Sequence, residues 1–342
     1  MKRQFQLQCM SLIAVLFAAS VAAGQTFPPG AGPGTCRLVF TATTAKFIDC
    51  NVHVQDGSGG TNSASGKGNL VVGYDENFFG LSVKTGSHNL VVGPWHSYES
   101  YGGLVAGQVN RITAPGASAT GGFANAATGA NSSAAGGQFN TASGVGASVT
   151  GGQWNVASGG SSSVSGGGGG DQSLGNEATG SLSSVSGGIN NTASGEFSSI
   201  SGGVTGVATG QAASVLGGAF GKAWGYRAAV VGGENGRADN NYAVVVGGQH
   251  NRAFGDWSVV VGGSHNEVQG DSFYGGVLGG RQNLIEESAF FGVVVGGDSN
   301  RVKGDTDSSV VLGGQSGSTD ANWSVSLGGY GNHATSNHQI VP

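Results

Sequence analysis

The sequence predicts an all-β chain, a parallel β-roll or β-solenoid of coils about 15 residues long with two short strands in each. Three observations predict it. First, a glycine pair recurs with its first member at 121, 136, 151, 166, 187, 202, 217, 232, 247, 262, 279, 296, 313 and 328. The spacing is 15, with one step of 21 and three of 17. A fixed short period marks a repeat architecture. Second, the position four after each first glycine holds only Asn or Gly. Asn stands at Asn125, Asn140, Asn155, Asn191, Asn251, Asn266, Asn283, Asn300 and Asn332, and Gly at 170, 206, 221, 236 and 317. Both residue types tolerate the left-handed conformation, so each coil is expected to turn there with positive φ. Third, small apolar residues recur two positions on, from Ala127, Ala142 and Ala157 to Val268, Ile285 and Val302. A second set, Val149, Val164, Val185, Ile200, Val215, Val230, Val245 and Val260, stands two before the glycine pair. These are the inward positions of two facing strands. At ~3.3 Å per residue a 15-residue coil has a contour of about 50 Å, enough for two strands and two turns, with coils about 4.8 Å apart.

The chain begins with a secretory signal over residues 1–23. Lys2 and Arg3 form a charged start, Met10 to Ala19 an apolar run, and Val21-Ala22-Ala23 a small-residue cleavage site. The run is shorter than the roughly 18 residues a membrane-spanning helix needs. Cleavage would take the net charge from −5 to −7. Residues 24–66 read as a leader containing Pro28, Pro29 and Pro33, followed by a small β cap. In the cap, Leu38–Phe40 and Asn51–Gln55 are the expected strands. Cys36 and Cys50, an even pair in an exported chain, are expected to form a disulfide worth about 3 kcal/mol by loop closure. The cap is expected to cover the first strand edge of the repeat. Residues 67–342 form the repeat domain. It starts loosely at Asn69-Leu-Val-Val-Gly73 and carries no proline between Pro115 and Pro342. Proline cannot donate to a ladder, so its absence suits an unbroken one. The six-residue insertion near Gly166–Asp171 reads as a loop.

The residues flanking the inward Val change along the chain. They are Ser or Thr in the first regular repeats. From Ala229-Val230-Val231 onward they become apolar, as in Val259-Val260-Val261 and Val310-Val311-Leu312. Strands apolar on both faces are covered on both faces, so the chain is expected to associate with itself, most strongly in its C-terminal half.

Here the units Ser-Val-Ser-Gly-Gly and Asn-Thr-Ala-Ser-Gly resemble the head repeats of YadA-like trimeric autotransporter adhesins, over roughly residues 67–336. The resemblance implies a left-handed roll, a homotrimer and a cell-surface or extracellular setting. The family's coiled-coil stalk and membrane-anchor strands have no recognised counterpart, so anchoring and self-secretion are not carried over. Its head strands are also more apolar than the Ser-rich early repeats here.

Composition excludes several functions. Charged residues are 10% of the chain and the balance is acidic, so no basic field draws nucleic acid or an anionic membrane. No Ser-His-Asp or Cys-His set, paired-carboxylate site or phosphate loop is found, and catalysis is not expected. No cofactor is expected. His250 and His265 lie one period apart but share no carboxylate, and no metal site is expected. Lys222, Arg237 and Arg252 form a short basic column, and Asp256, Asp271 and Asp305 an acidic edge. The strongest site candidate is aromatic: Tyr226, Tyr242, Trp257, Phe273, Tyr274, Phe290, Phe291 and Trp323, at the turn entering the Val strand. The 17-residue steps enlarge this turn, and enlarged loops on one edge of a repeat are a common place for binding. The expected function is adhesion to an unidentified extracellular or cell-surface ligand. The alternative is a self-associating structural protein of a matrix or appendage.

Overall fold

The computed structural model describes residues 25–27 and 35–342. The expected signal sequence lies outside the described residues. The chain divides into two units between Val54 and Gln55.

The first unit is an antiparallel sheet of three strands, β1 (Gln25–Phe27), β2 (Arg37–Phe40) and β3 (Ala45–Ile48). Cys36 and Cys50 flank the open end of the β2–β3 hairpin and are joined, with Cα atoms 4.7 Å apart. The second strand is therefore Ala45–Ile48, not Asn51–Gln55, which forms no strand. A hairpin needs its strands close in sequence. The Thr41–Thr44 turn supplies that closeness, with Thr44 N–H bonded to Thr41 Oγ1 at 3.0 Å.

The second unit is a parallel β-solenoid of about 17 coils. Two sheets face each other. One has 16 strands, from Ser97–Tyr98 to His333–Ala334, and carries the inward Ala column. The other has 18, from Leu70–Val72 to Ile340–Val341, and carries the inward Val column. Strand partners are mostly offset by 15, as in Ala127↔Ala142 and Val149↔Val164. Across the insertion the offset is 21, Ala157↔Ala178, and at the long steps it is 17, Val260↔Val277. The extra residues are thus expelled into corners while the strand register holds. The insertion forms a loop with a single 3₁₀ turn, Gln172–Leu174, capped by the Asp171 carboxylate accepting from Ser173 N–H at 2.9 Å. Both inward columns are buried, at 1% exposure or less.

The positive-φ expectation for the Asn-or-Gly position is corrected. None of Asn125, Asn140, Asn155, Asn191, Asn251, Asn266, Asn283, Asn300 or Asn332 has positive φ. The left-handed residue is the one before: Ala124, Phe139, Trp154, Asn190, Thr205, Phe220, Asn235, His250, His265, Gln282, Ser299 and Ser316. That site accepts almost any side chain because it points outward. The Asn site is restricted because its side chain points inward. Asn140 is fully buried. Its Nδ2 donates to Gly136 O at 2.9 Å and to Gly152 O of the next coil at 2.9 Å. Its Oδ1 accepts the backbone N–H of Asn155 at 3.0 Å. The same bonds repeat from Asn110 upward, and Asn176, not Gly170, fills the place in the insertion coil. The result is a buried asparagine ladder that supplies partners to corner groups no strand can reach, which would be costly to leave unpaired.

Where the ladder lapses, something else fills the space. Gly206 still donates its N–H to Asn191 Oδ1 at 2.8 Å. At Gly221 and Gly236 an added Cβ would stand 3.1 Å from Val230 Cγ1, so valine methyls occupy the volume. The strands there run through the corner, Ser199–Val204 and Ser214–Ala219, and pair Val204 with Ala219. The glycine pair is needed on steric grounds. Gly137 has φ +75, and a Cβ on it would lie 2.0 Å from the next coil's Gly152 O.

His96 starts the ladder. It is buried. Its Nδ1 accepts Asn110 N–H at 3.1 Å, so the proton sits on Nε2, which donates to Val92 O at 3.0 Å. Burial pushes its pKa below the usual histidine value, against smaller opposing contributions from its backbone bonds and Asp75.

Two outcomes are expected. Replacing Asn140 by Ala orphans Gly136 O and Asn155 N–H and leaves Gly152 O with only the Gln138 N–H, and should cost at least about 2 kcal/mol in a denaturant titration. A cost under about half that would show the ladder to be incidental. For His96, the folded state binds fewer protons than the unfolded state. Its contribution is therefore complete above the unfolded pKa of about 6.5 and is lost as pH falls toward the depressed folded value. Stability should drop between pH 7 and 5, and His96→Asn, which extends the ladder without a titrating group, should flatten that drop.

Candidate functional site

Each coil turns at two corners, and each corner has a left-handed residue at a fixed place in the repeat; the enlarged corners of the 17-residue coils add a second, Asp271, Ser288 or Asp305. At the corner entering the Val strand these residues are Arg227, Tyr242, Trp257, Tyr274, Phe291, Ser308, Trp323 and His338. Their backbones are tied coil to coil, as in Trp257 N–H to Asn241 O at 2.9 Å and Phe291 N–H to Phe273 O at 3.0 Å. Side chains at equivalent positions must then stack at the coil spacing.

They do. Tyr242 and Trp257 have centroids 5.1 Å apart with planes 9° from parallel. Trp257 and Tyr274 are 5.4 Å and 20° apart, and Tyr274 and Phe291 are 5.0 Å and 2° apart. Beside this stack runs a second, Phe273 on Phe290 at 5.6 Å and 1°. Phe273 and Phe290 come from the 17-residue coils, whose two extra residues fall at this corner. Tyr226 is placed differently from the other candidates. It sits one residue before the column, meeting Tyr242 edge-on at 5.4 Å, while Arg227 takes the column position and lays its guanidinium over the Tyr226 and Tyr242 rings. Trp323 is separated from Phe291 by the Ser308 coil and stacks on His338 at 5.2 Å.

The edge is exposed: Trp257 is 43% accessible and Phe291 53%. It is also strained. Tyr242, Trp257, Tyr274, Phe291 and Trp323 have φ between 53 and 59, a conformation costing a non-glycine residue roughly 1–2 kcal/mol. Gly or Asn would make the same turn with less strain. Ring stacking returns about 0.5–1.5 kcal/mol per pair, which offsets the strain without leaving a clear surplus. Bulky side chains kept in a strained, exposed column are the observation that points to use of this edge.

Three clusters were not anticipated. Phe139 and Trp154 stack at 4.3 Å and 10° at the opposite corner, with Phe123 edge-on to Phe139. The available signal was their position just before the Asn, at one period's spacing. Arg237 lies between the Trp224 ring at 4.3 Å and the Phe254 ring at 4.9 Å and pairs with Asp239 at 2.6 Å. The basic column is therefore relieved by rings and a carboxylate rather than simply facing water. Arg252 likewise meets Glu267 at 3.5 Å. Near the start of the solenoid, Phe78, Phe79 and Trp95 form a small apolar hollow with Asn77.

His250 and His265 stack at 4.7 Å on the surface. The described residues contain no group of three metal-ligating side chains. On the acidic edge, Asp256 accepts Asn241 N–H at 2.9 Å. Arg281 donates to Asp298 at 2.7 Å, and this bond holds the Asp298 carboxyl below its usual range.

No protein-family model matches the chain, and no curated protein matches it.

If the rings serve function rather than stability, Trp257→Asn removes a ring and relieves a strained turn at once. Its unfolding free energy should stay within about 1 kcal/mol of the parent. A loss above about 2 kcal/mol would make the column a structural brace.

Proposed function

We propose that this protein is an exported, self-associating β-roll adhesin that displays a long, regular surface and binds an extracellular or cell-surface ligand through its aromatic edge. The observation that carries the reading is the column Tyr242–Trp257–Tyr274–Phe291, exposed and held in a conformation that aromatic residues avoid. Export rests on the signal-like residues 1–23 and is supported by the Cys36–Cys50 bridge, which persists in oxidising compartments. Among the described residues no helix is long and apolar enough to cross a membrane.

Self-association rests on a second feature. Leu216, Val231, Val261, Leu278, Val295, Leu312 and Leu327 line one outward column of the Val sheet, each 36–50% accessible in the single chain. A contiguous apolar stripe of this kind marks an interaction surface. Together with the YadA-like head repeats, it supports a left-handed homotrimer with the stripe turned toward partner chains. The same stripe favours a second reading, in which assembly into a matrix or appendage is the whole function.

The mass of the mature chain in solution tests association, and three chains per particle are expected. A monomer at micromolar concentration overturns it. Attachment of the purified protein to cells or matrix should be lost in Trp257→Ala at unchanged mass. Concentration-dependent fibres without attachment to any partner would establish the structural reading instead.

A further inference from the structure

The aromatic column has one missing rung. Along it, Arg227 covers the outer face of Tyr242, and Tyr242, Trp257, Tyr274 and Phe291 cover one another. Trp323 is covered on its far side by His338. Between Phe291 and Trp323 stands Ser308, in register with both through Ser308 N–H to Phe290 O at 2.9 Å and Trp323 N–H to Asp307 O at 2.8 Å. Two ring faces in the column are thus left bare, and they look at each other across a single small residue.

The dimensions follow from the fold. Two coil rises separate Phe291 from Trp323, about 10 Å at the strand spacing of ~4.8 Å. A flat ring at the midpoint would lie about 5 Å from each face, close to the 5.0–5.4 Å at which the column's own rings stack. The opening therefore has room for one ring, and it is held by two backbones fixed in the ladder. Its surroundings are acidic and polar. Asp307 immediately precedes Ser308, and its carboxylate has no hydrogen-bond or ion-pair partner among the described residues. Its N–H is taken by Asn322 Oδ1 at 2.8 Å, and Asp305 lies two residues earlier. Residues 304–342 contain no Lys or Arg, and Lys303 is paired with Asp320 at 2.5 Å.

We infer that the gap at Ser308 is a sugar subsite, with Phe291 and Trp323 sandwiching one pyranose ring of a neutral polysaccharide. This rests on the reading of the aromatic edge as a binding surface and names the class of ligand it takes. A pyranose offers two C–H faces that pack on aromatic rings and a rim of hydroxyls that donate to a carboxylate such as Asp307. A nucleotide also offers a flat ring, but its phosphates would meet two aspartates and no cation. Ser308 contributes room rather than contact. The covered rings of the rest of the column turn their edges outward, so this break is where the column's ring faces become available.

The test fills the gap. The mature chain is titrated with hexasaccharides of β-1,4-linked glucose and of β-1,4-linked N-acetylglucosamine, read by tryptophan fluorescence and calorimetry. N-acetyltryptophanamide is the non-sugar ring. Saccharide binding is expected for the parent. Ser308→Tyr, which completes the column, and Trp323→Ala should each weaken it by about tenfold or more, the scale of one or two lost ring contacts. Ser316→Tyr, at the left-handed site of the opposite corner, should leave it unchanged with the same circular dichroism. Binding unaffected by Ser308→Tyr, no binding of either saccharide, or binding of N-acetyltryptophanamide alone would each overturn the inference. Cell or matrix attachment is measured on the same variants. Attachment lost in Trp257→Ala but kept in Ser308→Tyr would refute the subsite and leave adhesion standing, whereas saccharide binding without attachment would refute adhesion and leave the subsite standing.

Discussion

The solenoid depends on how the buried backbone of its corner is satisfied. A coil of 15 residues with strands of two or three leaves many of its peptide groups outside any ladder, and the corner after the glycine pair turns over the core rather than over water. In most coils one asparagine meets this need with three hydrogen bonds, two of which reach the neighbouring coil. The core beneath is thin, built mainly of one small inward residue from each of the two sheets per coil. A buried polar column that is fully bonded supplies specificity that so small an apolar core does not. The column also sets the register, since Oδ1 of each asparagine accepts only from the equivalent residue one coil on.

Because that inward position holds the corner, the residue before it, and its counterpart at the other corner, are released from structural duty. Both are left-handed, both point outward, and both accept serine, alanine, histidine or tryptophan. The fold therefore becomes a rail on which side chains are repeated every 5 Å. Neighbours on such a rail meet whether or not their chemistry agrees, and the chain shows several resolutions: aromatic on aromatic, Arg237 between two rings, Arg281 against Asp298. The insertion and the 17-residue coils show the same separation of roles. Extra length goes to the corners while the strands stay in register, so the surface can vary without cost to the core.

The two halves of the solenoid differ on their outer sheet face. Serine and threonine flank the inward valine in the early coils, and valine and leucine flank it in the later ones. The aromatic stack lies in the later half as well, which places the candidate site and the apolar stripe on the same stretch of coils.

Much of the fold was legible from periodicity alone. The glycine pairs marked the coils, and the Ala and Val columns marked the two inward faces, because a stacked repeat turns sequence spacing directly into spatial alignment. The aromatic corner was legible for the same reason, although Tyr226 stands one residue off the column that the later rings share. Chemistry at single positions was less so. Restriction to Asn or Gly signals two things, tolerance of positive φ and a small inward space with a hydrogen-bonding role, and composition does not separate them. Only the structure places positive φ one residue earlier, on Phe139 and Trp154 rather than on Asn140 and Asn155. Likewise, Asn176 as the ladder member of the insertion coil, Ala45–Ile48 as the hairpin's second strand, and the bare faces of Phe291 and Trp323 across Ser308 depend on which residues are brought opposite one another. Repeat length and inward pattern are local and periodic, and the sequence alone determined them. The direction of a side chain at a corner, and the neighbour it meets there, depend on backbone angles and on the adjacent coil, and tertiary structure decided those.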